Sequence, residues 1–321
     1  MTPVPKISVC LPVFNGERYL PQLLDSVLAQ SFREFEFLIS DNCSADRTQE
    51  LCLAYAGRDP RIVYSRNDRN IGANANSDLL VHKARGDYWV LFGHDDVIRP
   101  TFLEKCLAEL ENDGRLVLCH TLTRFIGPDG EPVEIPFRSA HEQHAPSERY
   151  QFRLYTHVAE ESDPVRRFRP FGRDAYFGDH HYGLIRRSAL LKTRLFEPYY
   201  GSDTVMLAEL ALMGRFKTID EVLFLRRIHR ESSYFLTAEE QQEFAAPGQK
   251  RRAPGRLSLS LAYGRAVMRV DGLRPDQRLR CLATIAGRAA HALRLRLGRA
   301  VKDLTRHGAR PQALERRDRQ V

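Results

Sequence analysis

The sequence predicts an α/β fold, a mixed and mainly parallel sheet flanked by helices and followed by a basic, mainly helical C-terminal extension. Strand-like and helix-like patterns alternate regularly through the first ~120 residues, as in a parallel sheet covered by helices. Within them, Tyr88-Trp89-Val90-Leu91-Phe92 is an unbroken apolar run. Such a run reads as a strand buried on both faces, the habit of parallel sheets. It ends at Gly93-His94-Asp95-Asp96. Carboxylates just past such a strand stand at the carboxyl edge of the sheet, where open α/β folds bind ligands.

The first strand runs from Ile7 to Phe14, and its Pro12 is tolerable near a strand end. Asn15-Gly16 turns the chain into a helix with the apolar face Leu20, Leu23, Leu24, Val27 and Leu28. Pro21 lies in its first turns, where a missing N–H costs little. The second strand is Phe35 to Ile39, ending at Ser40-Asp41; Ser44-Ala45-Asp46 caps the next helix. Ile62-Val63-Tyr64 is the third strand, and Asn70-Ile71-Gly72 breaks the chain before a helix from Ala73 to Ala84. Past the Asp pair, a helix from Phe102 to Leu110 precedes a strand from Leu116 to His120. Gly127-Pro128-Asp129-Gly130 then reads as a turn between extended pieces, which makes the sheet mixed.

From Arg138 to Asp179 the chain is polar and aperiodic, a loop-dominated insertion suited to a lid or an acceptor surface. Regularity returns at Tyr182-Gly183-Leu184-Ile185, with a helix near Ala189 to Lys192. A further helix, Thr204 to Met213, is stopped by Gly214. Val222 to Leu225 is the last strand and runs into Arg226-Arg227-Ile228-His229. Ala246-Pro247-Gly248 and Ala253-Pro254-Gly255 flank a basic run and read as a linker, and the chain divides into residues 1–235 and 236–321.

Net charge sharpens that division. From Leu236 to Val321, Lys and Arg outnumber Asp and Glu 19 to 8, while the preceding 235 residues hold 30 basic and 33 acidic side chains. The basicity is therefore a property of the extension. Two uses fit it: docking on an anionic membrane face, or packing on the main domain with solvated Arg. Nucleic acid is not an expected partner, because the extension offers no platform of aromatic rings for bases. Six cysteines without CxxC spacing suit a reducing cytoplasm better than disulfides or zinc. Neither a signal peptide nor a run of ~18 apolar residues is visible, which also points to the cytoplasm.

Three strand ends deliver polar groups to one edge: Asn15, Asp41 and Asp95 with Asp96. Adjacent carboxylates repel unless a positive group joins them, and a hard divalent cation on phosphate oxygens would do so. Asp96 has a second reading, as a cap for the helix that follows. A carboxylate at the tip of the second strand can accept the ring N–H of uracil or thymine; equally, Asp41 can open an Asx turn. Arg69-Asn70 lies next to the same edge.

Four ordered stretches, Val9 to Asn15, Ser40 to Thr48, Arg69 to Gly72 and His94 to Asp96, resemble glycosyltransferase family 2, over residues 6 to 232. The resemblance implies a GT-A (Rossmann-like) fold and a nucleotide-diphospho-sugar donor. Pro12 and Asn15 would shape the nucleotide pocket, Asp41 would contact the base, and Arg69 and Asn70 would lie beside the nucleotide. Asp95 would lean toward ribose. Asp96 would hold Mg2+ or Mn2+ on the diphosphate, helped by His229, with Arg227 and Arg226 near the leaving group. His229 is otherwise an ordinary surface histidine. Asp203, ahead of a helix, would be the base of an inverting transfer, or else a cap with Ser202.

Gly93 departs from the family, where Asp is common, and this leaves strict metal dependence open. The Gln-x-x-Arg-Trp segment of processive synthases is absent, and the only Trp is Trp89, so single addition is expected. His180-His181 is not read as a metal site, because neighbours on a strand face opposite ways. Gly183 to Ser188 matches the segment entering the acceptor side in relatives. The reaction implied is transfer of one hexosyl or deoxyhexosyl unit from a UDP- or dTDP-sugar. The acceptor would be a hydroxyl of a cell-surface glycan or lipid-linked molecule, as in polysaccharide biosynthesis. The alternative is a non-catalytic sugar-nucleotide-binding or scaffold protein of the same fold.

Overall fold

The computed structural model describes residues 4–133, 161–172, 179–249, 256–287 and 289–290. Its strands are β1 (Ile7–Val13), β2 (Phe35–Asp41), β3 (Ile62–Arg66), β4 (Tyr88–Leu91), β5 (Val97–Ile98), β6 (Leu116–Ile126), β7 (Leu184–Arg186) and β8 (Arg215–Arg227). They form one sheet in the order β3-β2-β1-β4-β7-β6-β8-β5. The first four are parallel, β7 runs antiparallel to β4 and β6, and β5 runs antiparallel to β8. The mixed, mainly parallel sheet expected from the sequence is the one observed.

Helices α1 (Leu20–Leu28), α2 (Thr48–Ala56), α3 (Ala73–Lys83) and α4 (Phe102–Asn112) alternate with the early strands. After them come α5 (Pro164–Gly172), α6 (Arg187–Leu190), α7 (Ser202–Met213), α8 (Ala238–Ala245), α9 (Arg256–Arg269) and a helix over 275–287. Two apolar cores sandwich the sheet. One takes Ile7, Val9 and Leu11 of β1 with Val90 and the inner faces of α1 and α4. The other takes Cys10, Trp89 and Leu38 with α3, α5, α7 and α9. Successive strand residues enter opposite cores, which is why Tyr88 to Phe92 contains no polar position.

Several expectations change. Within the stretch read as loop, residues 164–172 are helical: Val165, Phe168 and Phe171 are buried at helical spacing against α7. Arg167 hid this pattern, since it is itself buried, with Nε donating to the Ala211 carbonyl at 2.6 Å. The remainder of 138–178 and residues 250–255 lie outside the described residues, apart from 161–163. His180–Tyr182 is a 3-10 turn, not part of a strand. β6 and β8 are far longer than the short strands expected and pair in parallel over most of their length.

Ala246-Pro247 does not hang free. A side chain at Gly72 would meet Pro247 Cδ at 2.5 Å, so this segment is packed against the start of α3. Tyr263, Ala266 and Val267 of α9, with Val270 just past its end, lie in the same core as α7. The described part of the extension therefore packs on the main body, one of the two uses read for it. No helix among the described residues is long and apolar enough to cross a membrane.

Candidate active site

β1 and β2 end level, with Val13 beside Asp41, and their tips are welded by side-chain-to-backbone bonds. Asn15 and Cys43 both take left-handed backbone (φ 51° and 67°), a conformation an ordinary side chain adopts at a cost of about 1–2 kcal/mol. Asn15 Oδ1 accepts the Ala45 N–H at 2.8 Å, and Asn15 N–H donates to Ser44 Oγ at 2.9 Å. Asp41 is completely buried. Its Oδ1 accepts the Ser44 N–H at 2.8 Å, three residues on, so the carboxylate ties down the following loop without forming the two-residue Asx turn read as its alternative. Its Oδ2 accepts the Tyr64 hydroxyl at 2.8 Å and Arg66 Nη1 at 2.5 Å. Enclosed as it is, this carboxylate could meet a pyrimidine N–H only if a neighbouring group moved aside.

Asn70 Oδ1 accepts from Asn42 Nδ2 at 2.7 Å and from the Gly72 N–H at 2.9 Å, tying the loop before α3 to the β2 tip. Arg69 is exposed beside it, and Pro12 is half-buried on β1 opposite Ser40.

Past β4, the Phe92 N–H still bonds Cys10 O at 3.1 Å, and the chain then drops through Gly93 to Asp96. β5 pairs with β8 through Val97–Leu225, which sets Asp95 and Asp96 against the end of β8. Asp95 Oδ2 lies 3.0 Å from His229 Nε2. His229 Nδ1 accepts the Glu231 N–H at 3.3 Å, so Nε2 carries the proton and donates to Asp95. Asp96 is buried, and its Oδ1 accepts the Arg227 N–H at 3.1 Å.

The sequence expected His229 beside Asp96 and Arg227 beside a diphosphate; the structure arranges them otherwise. His229 meets Asp95. Arg227 is buried, donating to Asp95 O at 2.8 Å, Gly127 O at 2.9 Å, Pro128 O at 3.0 Å and Gln22 Oε1 at 2.6 Å. It braces the acidic turn from behind. Arg226, one residue earlier on the strand, faces the other way. It pairs with Asp179 and lies over the Tyr182 ring, 5.2 Å from its centroid.

Burial works against ionisation of Asp95, but the His229 hydrogen bond and favourable electrostatic interactions with the His94 and His229 rings outweigh it and hold the group below its usual range. Burial and the neighbouring Asp95 push Asp96 well above that range, with Arg226 opposing. The pair is thus short of positive charge.

Asp203 stands in the first turn of α7. Gly201, in left-handed backbone (φ 84°), swings the chain into that helix, and neither Ser202 nor Asp203 caps it. Ser202 is buried and accepts from Asn74 Nδ2 at 3.0 Å. Asp203 Oδ2 lies 3.8 Å from His181 Nδ1, and the Asp203 side chain is 30% exposed. Burial raises its proton affinity, partly opposed by the Thr204 N–H and by Arg226. Arg226 thus acts on Asp96 and on Asp203 together.

One observation bears on a divalent cation at the acidic turn, where His229 Nε2 would have to give up the proton it donates to Asp95 before it could serve as a ligand. A side chain at Gly93 would place its Cβ 2.8 Å from both Asp95 Oδ1 and Asp96 Oδ2, so both carboxylates close over the space that glycine leaves. Oxygen donors with one imidazole suit Mg2+ or Mn2+. No group of three His, Cys, Asp or Glu converges among the described residues, so any further ligands would come from donor or water.

Arg66, Asp179, His181 and Gln22 escaped sequence reasoning as site residues. Only His181 carried a local signal, the His-His pair, and reading it as strand misdirected it.

The family model described as Glycosyl transferase family 2 matches residues 8–192. Over 136 residues the chain is 35% identical to the abequosyltransferase RfbV of Salmonella typhimurium, covering 41% of this chain and 40% of that protein. The chain spans less than half the length of the first curated relatives it matches. Among solved structures, S. aureus TarS 1–349 in complex with UDP-GlcNAc superposes with a TM-score of 0.57 at 18% identity, covering 88% of this chain and 72% of that one. The mannosyltransferase PcManGT of Pyrobaculum calidifontis, in complex with GDP-Man and Mn2+, gives a TM-score of 0.55 at 14% identity, covering 94% and 81%. At such identities the likeness is one of fold.

Proposed function

The chain belongs to glycosyl transferase family 2, and from that premise we propose that it moves a single sugar, with inversion, from a UDP- or dTDP-sugar to a hydroxyl of a cell-surface glycan or lipid-linked acceptor. One observation carries the reading. Arg226 lies close enough to act on both Asp96 and Asp203; Asp95 and His229 are joined beside the first, and His181 stands near the second. Such a layout suits a departing diphosphate at the first group and an incoming hydroxyl at the second.

The acceptor oxygen attacks the anomeric carbon opposite the diphosphate, and its proton passes to Asp203. The bond from that carbon to the diphosphate oxygen breaks, its electron pair leaving on the nucleoside diphosphate. Burial keeps Asp203 more basic than a free aspartate, which suits a general base. A divalent cation would offset charge on the departing diphosphate. Asp96 and His229, with Asp95 beside them, are the residues that would hold it, and the neighbour bound to GDP-Man and Mn2+ supports that reading.

Asn15, Arg69 and Asn70 would line the nucleotide side, with Asp41 acting through the loop it shapes. Arg227 would act by holding the acidic turn. In the extension, Leu261 and Met268 are exposed with Arg265 at helical spacing on α9, and Leu279 is exposed on the following helix, which supports peripheral contact with an anionic membrane.

A hydrolysis and transfer screen across UDP-, dTDP- and GDP-sugars with Mg2+ or Mn2+ tests the reading. Turnover with a uridine or thymidine donor is expected, and turnover only with a guanosine donor would overturn the base assignment. Gly93 favours one competitor, a non-catalytic binder with a weakened metal site. Calorimetric binding of UDP and Mn2+ without turnover of any donor would select it.

A further inference from the structure

Resting on the assignment of Asp203 as the base, we propose that His181 is its positioning partner. In this role a neutral imidazole donates its Nδ1–H to Asp203 Oδ2 and so fixes which carboxylate oxygen meets the acceptor hydroxyl.

Three features of the structure lead there. First, His181 Nδ1 is sealed from solvent and has no hydrogen-bond partner among the described residues, while Asp203 Oδ2 lies 3.8 Å away. An ionised carboxylate only accepts, so an imidazole nitrogen aimed at it is favourable as N–H and unfavourable as a bare lone pair. An approach of less than about 1 Å makes the bond, and catalytic hydrogen bonds are commonly long until substrate closes the site.

Second, the imidazole is held in place. The Tyr182 ring lies 3.8 Å from it, centroid to centroid. The turn that carries both is closed by Tyr182 N–H to Asp179 O and Gly183 N–H to His180 O, each 2.9 Å. Gly183 presses that turn onto β6: a Cβ there would lie 2.8 Å from Cys119 O. Asp179 in turn is paired with Arg226.

Third, the surroundings keep His181 uncharged. Burial lowers its proton affinity, and the Arg226 charge and His180 lower it further. The other polar groups around Asp203 are the Thr204 N–H, Arg226 and Tyr200. A cationic histidine would form an ion pair and weaken the base; a neutral one orients the carboxylate and leaves it basic. The acceptor proton goes to Asp203, and His181 keeps its own throughout.

Imidazole 15N NMR on the full chain at neutral pH tests this without any donor. The His181 signal, identified by its loss in His181→Asn, is expected to be the neutral Nδ1–H tautomer. The Nε2–H tautomer, or a charged ring, overturns the proposal. Kinetics on the best donor from the screen give a second reading. His181→Phe should lower kcat about 10- to 100-fold with donor KM unchanged, the usual cost of losing an orienting partner. His181→Asn, which restores an N–H near the same place, should recover most of that loss. Full activity in His181→Phe, or no recovery in His181→Asn, overturns it as well. Asp203→Asn separates the two claims: if that variant is fully active, the base assignment fails, whereas an inactive Asp203→Asn beside a fully active His181→Phe removes only the partnership.

Discussion

At the tips of β1 and β2, the buried side chains of Ser40, Asp41, Asn42, Ser44, Thr48 and Asn76 all find partners within the protein. Across the same edge, between β4, β8 and α7, the pattern reverses. Asp95 and Asp96 crowd two carboxyl groups together, and among the described residues Asp179 Oδ2, His181 Nδ1 and the Tyr19 hydroxyl are buried without a hydrogen bond. Tyr19 packs on His229, its ring 5.1 Å away. A satisfied network holds a shape; an unsatisfied one of mixed charge stores unfavourable interactions that a ligand can relieve. On the function proposed above, the first region is a frame and the second the reaction chamber, although the sequence marked both with the same residue types.

The largest effect expected from this contrast is at Asp203. Asp203→Asn should cut transfer about 1,000-fold while calorimetry shows UDP binding within a factor of two or so of the parent. Because Asp203 has a raised proton affinity and must be ionised to act, the rate should fall as pH drops through a value above the ordinary aspartate range. An acid limb at or below that range would contradict the chamber's desolvated character.

The frame predicts a loss of stability instead. Asp41→Ala strands Arg66, Tyr64 and the Ser44 N–H, and should lower stability by about 3 kcal/mol in urea unfolding. Asp96→Asn should leave stability unchanged or improved, since burial disfavours its charge, yet weaken binding of Mn2+ with UDP. If Asp41→Ala unfolds like the parent but loses UDP, the contrast is broken.

Gly93→Ala comes next. Its Cβ would press on an oxygen of each carboxylate, and the affinity for UDP with Mn2+ should drop about tenfold, or 1.4 kcal/mol. Unchanged affinity would mean that the gap beside Gly93 plays no part.

The smallest effect lies outside both regions. Asp78 on α3 accepts the Phe196 N–H at 3.0 Å and is pushed by burial to about 6. A carboxyl raised in the fold favours the protonated form, so its contribution is present below about 4 and lost as pH rises toward 6. Asp78→Asn should therefore stabilise the protein at neutral pH by on the order of 1 kcal/mol after solvent screening, with little gain near pH 4.

Local periodicity made the first half of the fold legible. The early strands and α1 to α4 follow apolar patterns that begin and end at turn residues, and their observed bounds lie within a few positions of those read. The second half obeys longer-range constraints. β6 and β8 pair through register shifts near Leu118 and Leu122, and polar residues such as Thr123, Arg124, Asp220 and Glu221 interrupt their apolar runs. Only the partner strand makes them strands. The site shows the same limit. A strand end and an Asp pair announce an edge, but nothing local says that Arg227 will reach back to Gln22, that Arg226 will find Asp179, or that His181 will face Asp203. Those meetings depend on crossovers of more than a hundred residues or on a turn misread as extended chain.

The Tyr263 hydroxyl of α9 donates to Thr204 Oγ1 at 3.2 Å, one position beyond Asp203. The basic extension is therefore joined to the very turn that presents Asp203. Whatever tugs on its outer face, whether a lipid surface or a neighbouring polypeptide, has a direct mechanical connection to that carboxylate.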